Sequence, residues 1–351
     1  MTRDTFMDAL EGRGSDGVPM FIRDMTLGMD VTDVDTTDVF GKTFDPELSA
    51  ECITAFQRMT GQDAVIGCTH CAAFLIEQFG GTMKYPQRGI PVPLGHPLDG
   101  MTDFSGLDTE PKGKMLAALE SYRLVHEKLP DTAVVLNVTG PLTKAGVIAG
   151  IEYISMLMES DRDVLDGLLA LCFDSLSAVV ERASGDGSCD AGIMASATDN
   201  PDLFGAEAFR DIVVPHVKRY TDAFHRKGLP VIFHPHGTFV SDSVDLSSDI
   251  LSSDILSAGC DGFHFPEGND PGSLRDRFEG RICLLGGTDI VPTLMNGPEG
   301  RIVSETEGFL RAFSDCDYVF MPSCSLHRGI PLENVRCMCE TVRHFDYSSG
   351  D

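Results

Sequence analysis

Side chains that bind metals follow the ends of predicted strands in the second half of the chain. His234 and His236 stand two residues apart after one apolar run, Cys324 ends another, and a third run supplies His264 and Glu267. Imidazole, thiolate and carboxylate groups from different strand ends form a tetrahedral set suited to Zn²⁺. A His-x-His pair alone also caps strands, but Cys324 at another strand end favours a zinc site. We predict His234, His236 and Cys324 as the ligands.

Two other polar segments follow predicted strands. Gly287, Thr288 and Asp289 form a turn that either lets a cofactor approach the backbone closely or is an ordinary turn with Asp289 as a helix cap. Asp199 either acts as an acid or base, or holds a substrate hydroxyl, or caps the following helix. We predict Asp199 and Glu267 as catalytic carboxylates and residues 287–289 as a cofactor-binding turn.

The remaining cysteines carry weaker signals. Cys68 and Cys71 form a Cys-x-x-Cys pair, which can be redox-active or half of a zinc site. No second pair accompanies it, so we predict a structural or pocket-lining role. Cys337 and Cys339 are predicted to pack in the last helix. Eleven cysteines in a chain without a visible export signal indicate a reducing cytoplasm.

A scaffold that gathers strand ends must position these residues. Eight apolar runs, alternating with amphipathic helical patterns, predict strands buried on both faces. The runs are PMFIRDM from Pro19, DAVIGC from Asp63, AVVLNVTG from Ala133, DAGIMAS from Asp190, PVIFHP from Pro230, DGFHFPE from Asp261, ICLLGG from Ile282 and DYVFMPSC from Asp317. This order predicts an α/β fold, a closed (β/α)8 TIM barrel with its active site at the carboxyl ends of the strands. An open doubly wound sheet is the alternative, but no GxGxxG follows the first strand.

Features between the strands indicate one domain over residues 1–351. The helix before the fifth strand is predicted to kink at Pro215 and to end at Gly228. The repeated SSDIL at residues 247–256 is interpreted as a small duplication within a helix. No Pro- or Ser-rich linker interrupts the chain.

Charge and hydropathy exclude several classes of partner. The chain has 27 basic and 54 acidic residues and a formal net charge of -27. Such a charge repels nucleic acid and anionic membranes. The N-terminus has no apolar segment typical of a signal peptide, and no apolar run approaches the ~20 residues of a membrane span. We therefore predict a cytoplasmic protein.

Several longer motifs resemble a known family. They are GGTMKYPQRGIPVPLGHPL, VVLNVTGPLTKAG, VIFHPHG, LLGGTDIVPTLMNGPEG and MPSCSLHRGIPLENV. In order and spacing they resemble the uroporphyrinogen-decarboxylase superfamily, and within it the corrinoid-dependent methyltransferases of the methylcobamide:coenzyme M type. The resemblance implies a TIM barrel, a zinc site and methyl transfer to or from a corrinoid (methylcobalamin). A separate protein would carry the corrinoid, because no cobalamin-binding module is visible here.

The zinc ligands of those methyltransferases map onto this chain with one departure. The family has a His-x-Cys pair after one strand and a Cys after the last, which His234 and Cys324 match. His236 stands where the middle cysteine would be, and Glu267 lies near the position of an acidic fourth ligand. A neutral imidazole in place of a thiolate makes the metal a stronger Lewis acid and a bound thiolate a weaker nucleophile. This departure suits activation of a methylated donor as well as of a thiol.

Two other functions compete with methyl transfer. The decarboxylases of the family carry an Arg-Gln-Ala-Gly-Arg signature that holds substrate carboxylates, whereas this chain has Ile-Arg-Asp-Met-Thr at residues 22–26. A metal-free tetrapyrrole decarboxylase is therefore the second hypothesis, and a non-catalytic corrinoid-binding barrel is the third. The leading hypothesis is a zinc enzyme that moves a methyl group between a corrinoid protein and a small-molecule thiol or a methylated donor.

Overall fold

A curled parallel sheet forms the centre of the molecule. The computed structural model describes residues 2–15, 17–69, 73–239 and 246–347. The strands are β1 (Ala64–Ile66), β2 (Met83–Lys84), β3 (Val92–Pro93), β4 (Ala133–Thr139), β5 (Ala191–Ser196), β6 (Val231–Pro235), β7 (Gly262–His264), β8 (Cys283–Gly286) and β9 (Tyr318–Phe320). Seven of them form one sheet in the order β1-β4-β5-β6-β7-β8-β9, with every neighbour parallel. Strands β2 and β3 form a separate antiparallel pair.

Helices occupy most of the connections between these strands. They are α1 (Arg3–Leu10), α2 (Gly28–Val31), α3 (Thr36–Val39), α4 (Pro46–Thr60), α5 (Ala73–Gln78), α6 (Lys114–Lys128), α7 (Pro141–Ala149), α8 (Ile151–Ser160), α9 (Arg162–Gly185), α10 (Pro201–Ala208), α11 (Val214–His225), α12 (Leu246–Ser257), α13 (Pro271–Phe278), α14 (Glu299–Ala312) and α15 (Leu332–His344), with π-helical turns at Phe209–Val213 and Ile290–Met295. In the parts of the chain that are described, no helix combines the length and the apolar character that a membrane span requires.

Burial on both faces explains the apolar composition of the strands. All residues of β6, β7, β8 and β9 are buried, as expected where helices cover one face and side chains fill the other. Parallel register places His234 beside Ala195 of β5 and His264 beside Leu285 of β8. The carboxyl ends of β6 and β7, which carry these histidines, therefore lie at the same edge of the sheet.

The predicted first strand, from Pro19, does not form as a strand. Met20 makes an isolated parallel bridge with Phe320 of β9, and Phe21 makes one with Ala64 of β1. Proline has no N–H to donate to a ladder, and Asp24 soon turns the chain by accepting from the amides of residues 27 and 28. Seven of the eight predicted strands are therefore confirmed. The remaining one, the segment from Pro19, forms only isolated bridges.

The predicted helix before β6 is kinked at Gly205, whose backbone angles are not helical (φ +83°, ψ +159°), and not at Pro215 as expected. The chain forms α10, then the π-helical turn Phe209–Val213, and then α11, with Pro215 in its first turn. Pro215 has no N–H to donate to the preceding turn. The wider π-helical turn before it accommodates this missing hydrogen bond. Gly228 adopts a φ of +71° just after α11, which confirms it as the stop before β6. The SSDIL duplication lies within α12.

Candidate functional site

His234, His236 and Cys324 come together at the carboxyl edge of the sheet. The Sγ of Cys324 lies 3.8 Å from Nε2 of His234 and 3.6 Å from Nε2 of His236. All three ligand atoms lie within 4.8 Å of one another. In a tetrahedral zinc site with bonds of roughly 2.05 Å to nitrogen and 2.3 Å to sulfur, nitrogen and sulfur are about 3.6 Å apart. The three side chains therefore fit zinc and leave a fourth position for another ligand.

Backbone hydrogen bonds hold both ligand segments in place. The amide of His236 donates to the carbonyl of Ser196, at the end of β5, over 3.2 Å. On the other side, the amide of Ser323 donates to Thr288 and the amide of Leu326 donates to Arg23. The loop that carries Cys324 is thus fixed on both sides of the cysteine.

His264 of β7 contacts His234 and orients it. The two Nδ1 atoms are hydrogen-bonded, and the rings stack with centroids 4.4 Å apart. Nε2 of His264 lies 3.0 Å from the carbonyl oxygen of Pro322. Burial lowers the pKa of His264 to about 3 and that of His234 well below its usual range, so both rings are neutral.

These contacts determine the tautomer of each histidine. The carbonyl of Pro322 can only accept, so His264 carries its proton on Nε2 and presents an unprotonated Nδ1. His234 must then donate from Nδ1, which leaves the lone pair of its Nε2 directed toward Cys324. This is the state in which an imidazole binds a metal. The sequence identified His264 only as a strand-end residue, and its orienting role depends on the register of β6 and β7.

Arg23 supplies positive charge beside the thiol. It is only 4% exposed, and its Nε donates to Oδ1 of Asn137 over 2.7 Å. No carboxylate among the described residues forms an ion pair with it, and a guanidinium remains charged when buried. Burial raises the pKa of the Cys324 thiol, but the hydrogen bond with His236 and the charge of Arg23 outweigh this, and the pKa falls to about 7. The same hydrogen bond raises the pKa of His236. In the sequence, Arg23 stands out only as part of a segment that departs from a family signature, so this role was not predicted.

Glu267, Gly287 and Asp289 line one small cavity of about 260 Å³ next to Ser323. Burial, followed by the charges of Glu305 and Glu267, raises the pKa of Asp289 to about 6. A Cβ at Gly287 would approach the carbonyl oxygen of Met321 to 2.7 Å, so glycine is needed there for backbone packing.

Thr288, the middle residue of the predicted cofactor-binding turn, faces away from this cavity. It is fully buried, and its hydroxyl hydrogen-bonds to that of Thr306 on α14 over 2.9 Å. Asp289 precedes the π-helical turn, but its side chain makes no cap hydrogen bond. The helix-cap interpretation of Asp289 is therefore wrong, and the cofactor-binding role of residues 287–289 stays a prediction.

Asp199 lies at the N-terminus of α7. Its carboxylate accepts from the amide of Leu142 at 2.6 Å and from the amide and hydroxyl of Thr143 at 3.1 and 2.6 Å. Asn200, not Asp199, caps the following helix α10. Burial raises the pKa of Asp199 despite these hydrogen bonds. The structure thus gives Asp199 a capping role on a different helix from the one expected, and its catalytic role stays a prediction.

Among the described residues, no other cysteine joins the three-residue cluster. Cys68 is buried, and Cys71 lies outside the described residues. Cys339 is buried in α15, while Cys337 packs partly exposed against the core.

Comparisons with known proteins agree with the fold and with the family motifs. Residues 1–345 match the family profile described as "Uroporphyrinogen decarboxylase (URO-D)". A segment of 139 residues is 27% identical to uroporphyrinogen decarboxylase from Chlorobium chlorochromatii (strain CaD3), covering 38% of this chain and 37% of that protein. A segment of 222 residues is 23% identical to methylated-thiol–coenzyme M methyltransferase from Methanosarcina mazei, covering 63% of this chain and 55% of that protein.

A solved structure extends the likeness over the whole chain. A methyltransferase from Methanosarcina mazei superposes with a TM-score of 0.84 at 22% identity and covers 98% of both chains, so the two share a fold. The two curated relatives, in contrast, are matched over only 37% and 55% of their own lengths. The family profile spans nearly the whole chain, and the chain belongs to the uroporphyrinogen decarboxylase family.

Proposed function

We propose that this protein is a zinc-dependent methyltransferase that moves a methyl group between a corrinoid on a partner protein and a small-molecule thiol or methylated donor. The observation that carries the proposal is the cluster of His234, His236 and Cys324, whose spacing suits a tetrahedral zinc ion. The likeness to methyltransferases from Methanosarcina mazei supports this reaction class. Zinc held there would act as a Lewis acid toward a thiol or a methylated donor.

Three residues, His264, Arg23 and His236, would prepare the other two candidate ligands to bind the metal. His264 keeps the Nε2 lone pair of His234 available. Arg23 and His236 bring the pKa of Cys324 to about 7, so that about half of the thiol is ionised at neutral pH. His234 is buried, whereas His236 and Cys324 are partly exposed, so the small molecule would reach the fourth position from the side of these two residues.

The surrounding elements would complete the site. We propose that the Met20–Phe21 bridges serve as the eighth strand and close a single-domain barrel. Glu267, exposed beside the cavity that contains Gly287 and Asp289, would face the small molecule or complete the metal shell. That cavity is our candidate surface for the approaching corrinoid.

The test is zinc content and methyl transfer in matched cysteine variants. Cys324→Ala should lose most of its zinc and keep its fold, because the residue lies in a loop at the edge of the sheet. Cys316→Ala, which removes a partly buried cysteine outside the cluster, should keep both. Wild type should also demethylate methylcobalamin with at least one thiol of a panel. Full zinc retention in Cys324→Ala would contradict the metal assignment, and zinc without any methyl transfer would contradict the reaction.

A further inference from the structure

The loop that carries Cys324 also carries an arginine that the proposed reaction does not use. The side chain of Arg328 is only 7% exposed. Its Nε donates to Oδ1 of Asp30 over 2.7 Å, and its Nη1 donates to Oγ1 of Thr36 over 3.1 Å. Nη2 donates to the carbonyl oxygen of Val34 over 2.8 Å. One guanidinium thus binds α2, α3 and the connection between them.

The backbone of the same loop pairs with the chain just before α2. The amide of Leu326 donates to the carbonyl of Arg23 over 2.9 Å, and the carbonyl of Leu326 accepts from the amide of Met25 over 2.8 Å. The amide of Arg328 donates to the hydroxyl of Thr26 over 3.1 Å. Side chain and backbone therefore tie the loop to one part of the chain, from two to four residues after the cysteine.

We propose that Arg328 is the positioning residue for Cys324, and that its guanidinium holds Sγ at the distance from the two histidines that a metal requires. This inference rests on the proposed zinc site. His234 lies in β6, whereas Cys324 lies in a loop, and loops are more mobile than the elements that they connect. The position of Sγ, 3.6 Å from Nε2 of His236, therefore depends on the contacts that hold the loop, and Arg328 makes three of them with its side chain.

An arginine is required at this position because three acceptors must be served at once. A guanidinium presents five N–H donors in a planar fork, whereas an ammonium is a compact charge with three donors on a flexible stem. Arg328→Lys should keep the ion pair with Asp30 and lose the contacts with Val34 and Thr36. Thr36 is itself held in place, because its amide donates to the carbonyl of Gln87 over 2.8 Å. The fork thus meets acceptors whose positions are fixed.

Zinc affinity in Arg328→Lys and Arg328→Gln, measured by competition with a chelator, tests the proposal. We expect the lysine variant to bind zinc about 10-fold more weakly and the glutamine variant more weakly still, as for other contacts behind metal ligands. In a Cys324→Ala background the same substitutions should leave the residual zinc affinity unchanged, because the ligand through which they act is gone. Arg3→Gln, which removes the partner of the buried Asp190 at the amino end of β5, should lower the Tm and keep the zinc affinity.

Wild-type zinc affinity in both arginine variants, or an equal loss with and without Cys324, would overturn the proposal, since either shows that Arg328 serves only the fold. A wild type that binds no zinc would instead contradict the proposed function. Crystal structures of metal-free wild type and Arg328→Lys decide the inference in that case. Sγ of Cys324 should move relative to Nε2 of His236 by more than about 0.5 Å, the tolerance of a preorganised site, and an unchanged position would refute the role. The lysine variant keeps the charge, so the test stands even if the glutamine variant fails to fold.

Discussion

Replacing His264 by phenylalanine should weaken zinc binding although all three candidate ligands remain. Phenylalanine has nearly the shape of histidine and can keep the stacking on His234, whose ring centroid lies 4.4 Å away. It cannot accept from Nδ1 of His234 or donate to the carbonyl of Pro322. Nothing then fixes the proton of His234 on Nδ1, and the tautomer that places it on Nε2 blocks the metal-binding nitrogen.

The size of the effect follows from the contacts that are lost. Partners that orient a metal-ligating histidine typically contribute 10- to 100-fold in metal affinity, which corresponds to about 1.4–2.7 kcal/mol. His264→Phe loses both hydrogen bonds and should fall near the upper end of this range. His264→Asn places its Oδ1 close to the former Nδ1, so it keeps the acceptor for His234 and loses only the contact with Pro322. We expect the asparagine variant to recover much of the affinity.

Competition with a chromophoric chelator measures zinc affinity in wild type and both variants. Circular dichroism and Tm establish that each variant is folded. Wild-type affinity in His264→Phe would refute the orienting role. Equal losses in the phenylalanine and asparagine variants would show that packing, and not the acceptor for His234, is what matters.

Three further predictions concern the third ligand, the substrate and the buried lysine. His236→Cys should keep zinc, add a sulfur scatterer to the metal-edge absorption spectrum, and raise thiol methylation from methylcobalamin; an unchanged shell would exclude His236 as a ligand. The protein should form no coproporphyrinogen from uroporphyrinogen under anaerobic conditions, because the arginine signature of the decarboxylases is missing near Arg23 and the net charge is -27. Burial lowers the pKa of Lys144 to about 8, so the folded state binds fewer protons than the unfolded state between about pH 8 and 10.4, and stability rises with pH across that window. Lys144 is buried in α7, and Lys144→Met should therefore be more stable than wild type by roughly 3 kcal/mol at pH 7. The gain should disappear above about pH 10.4, and urea denaturation at both pH values measures it.

The strands were predictable where apolar runs are buried on both faces. Strand β4 and strands β6 to β9 follow from such runs, because helices on one side and packed side chains on the other exclude polar residues. The segment from Pro19 has the same composition and still forms only three isolated bridges, at Met20, Phe21 and Asp24. Its pairing is limited by Pro19 and by the turn at Asp24, and both effects depend on which strands lie on either side.

The clustering of the three candidate ligands was predictable, but the residues that contact them were not. His234, His236 and Cys324 have side chains of the types that can bind zinc and follow strand ends, so residue type and position suffice to predict that they lie together. His264, in contrast, depends on the register of β6 against β7. Arg23 depends on the bridging segment, which brings it beside a thiol that lies about three hundred residues later in the chain. Such long-range pairings follow from topology and not from local pattern.

The charges at the site constrain what can occupy the fourth position. The charges of the Cys324 thiolate and the Arg23 guanidinium balance each other. The rings of His234 and His264 are neutral. A divalent metal would therefore bring two uncompensated positive charges into a largely buried site, which is unfavourable without an anionic partner. A family member with cysteine in place of His236 would already supply one negative charge to compensate the metal. If this chain binds zinc as proposed, its fourth ligand would have to supply that charge, so we expect this ligand to be anionic, as a thiolate is, or Glu267 to move in whenever the small molecule is neutral.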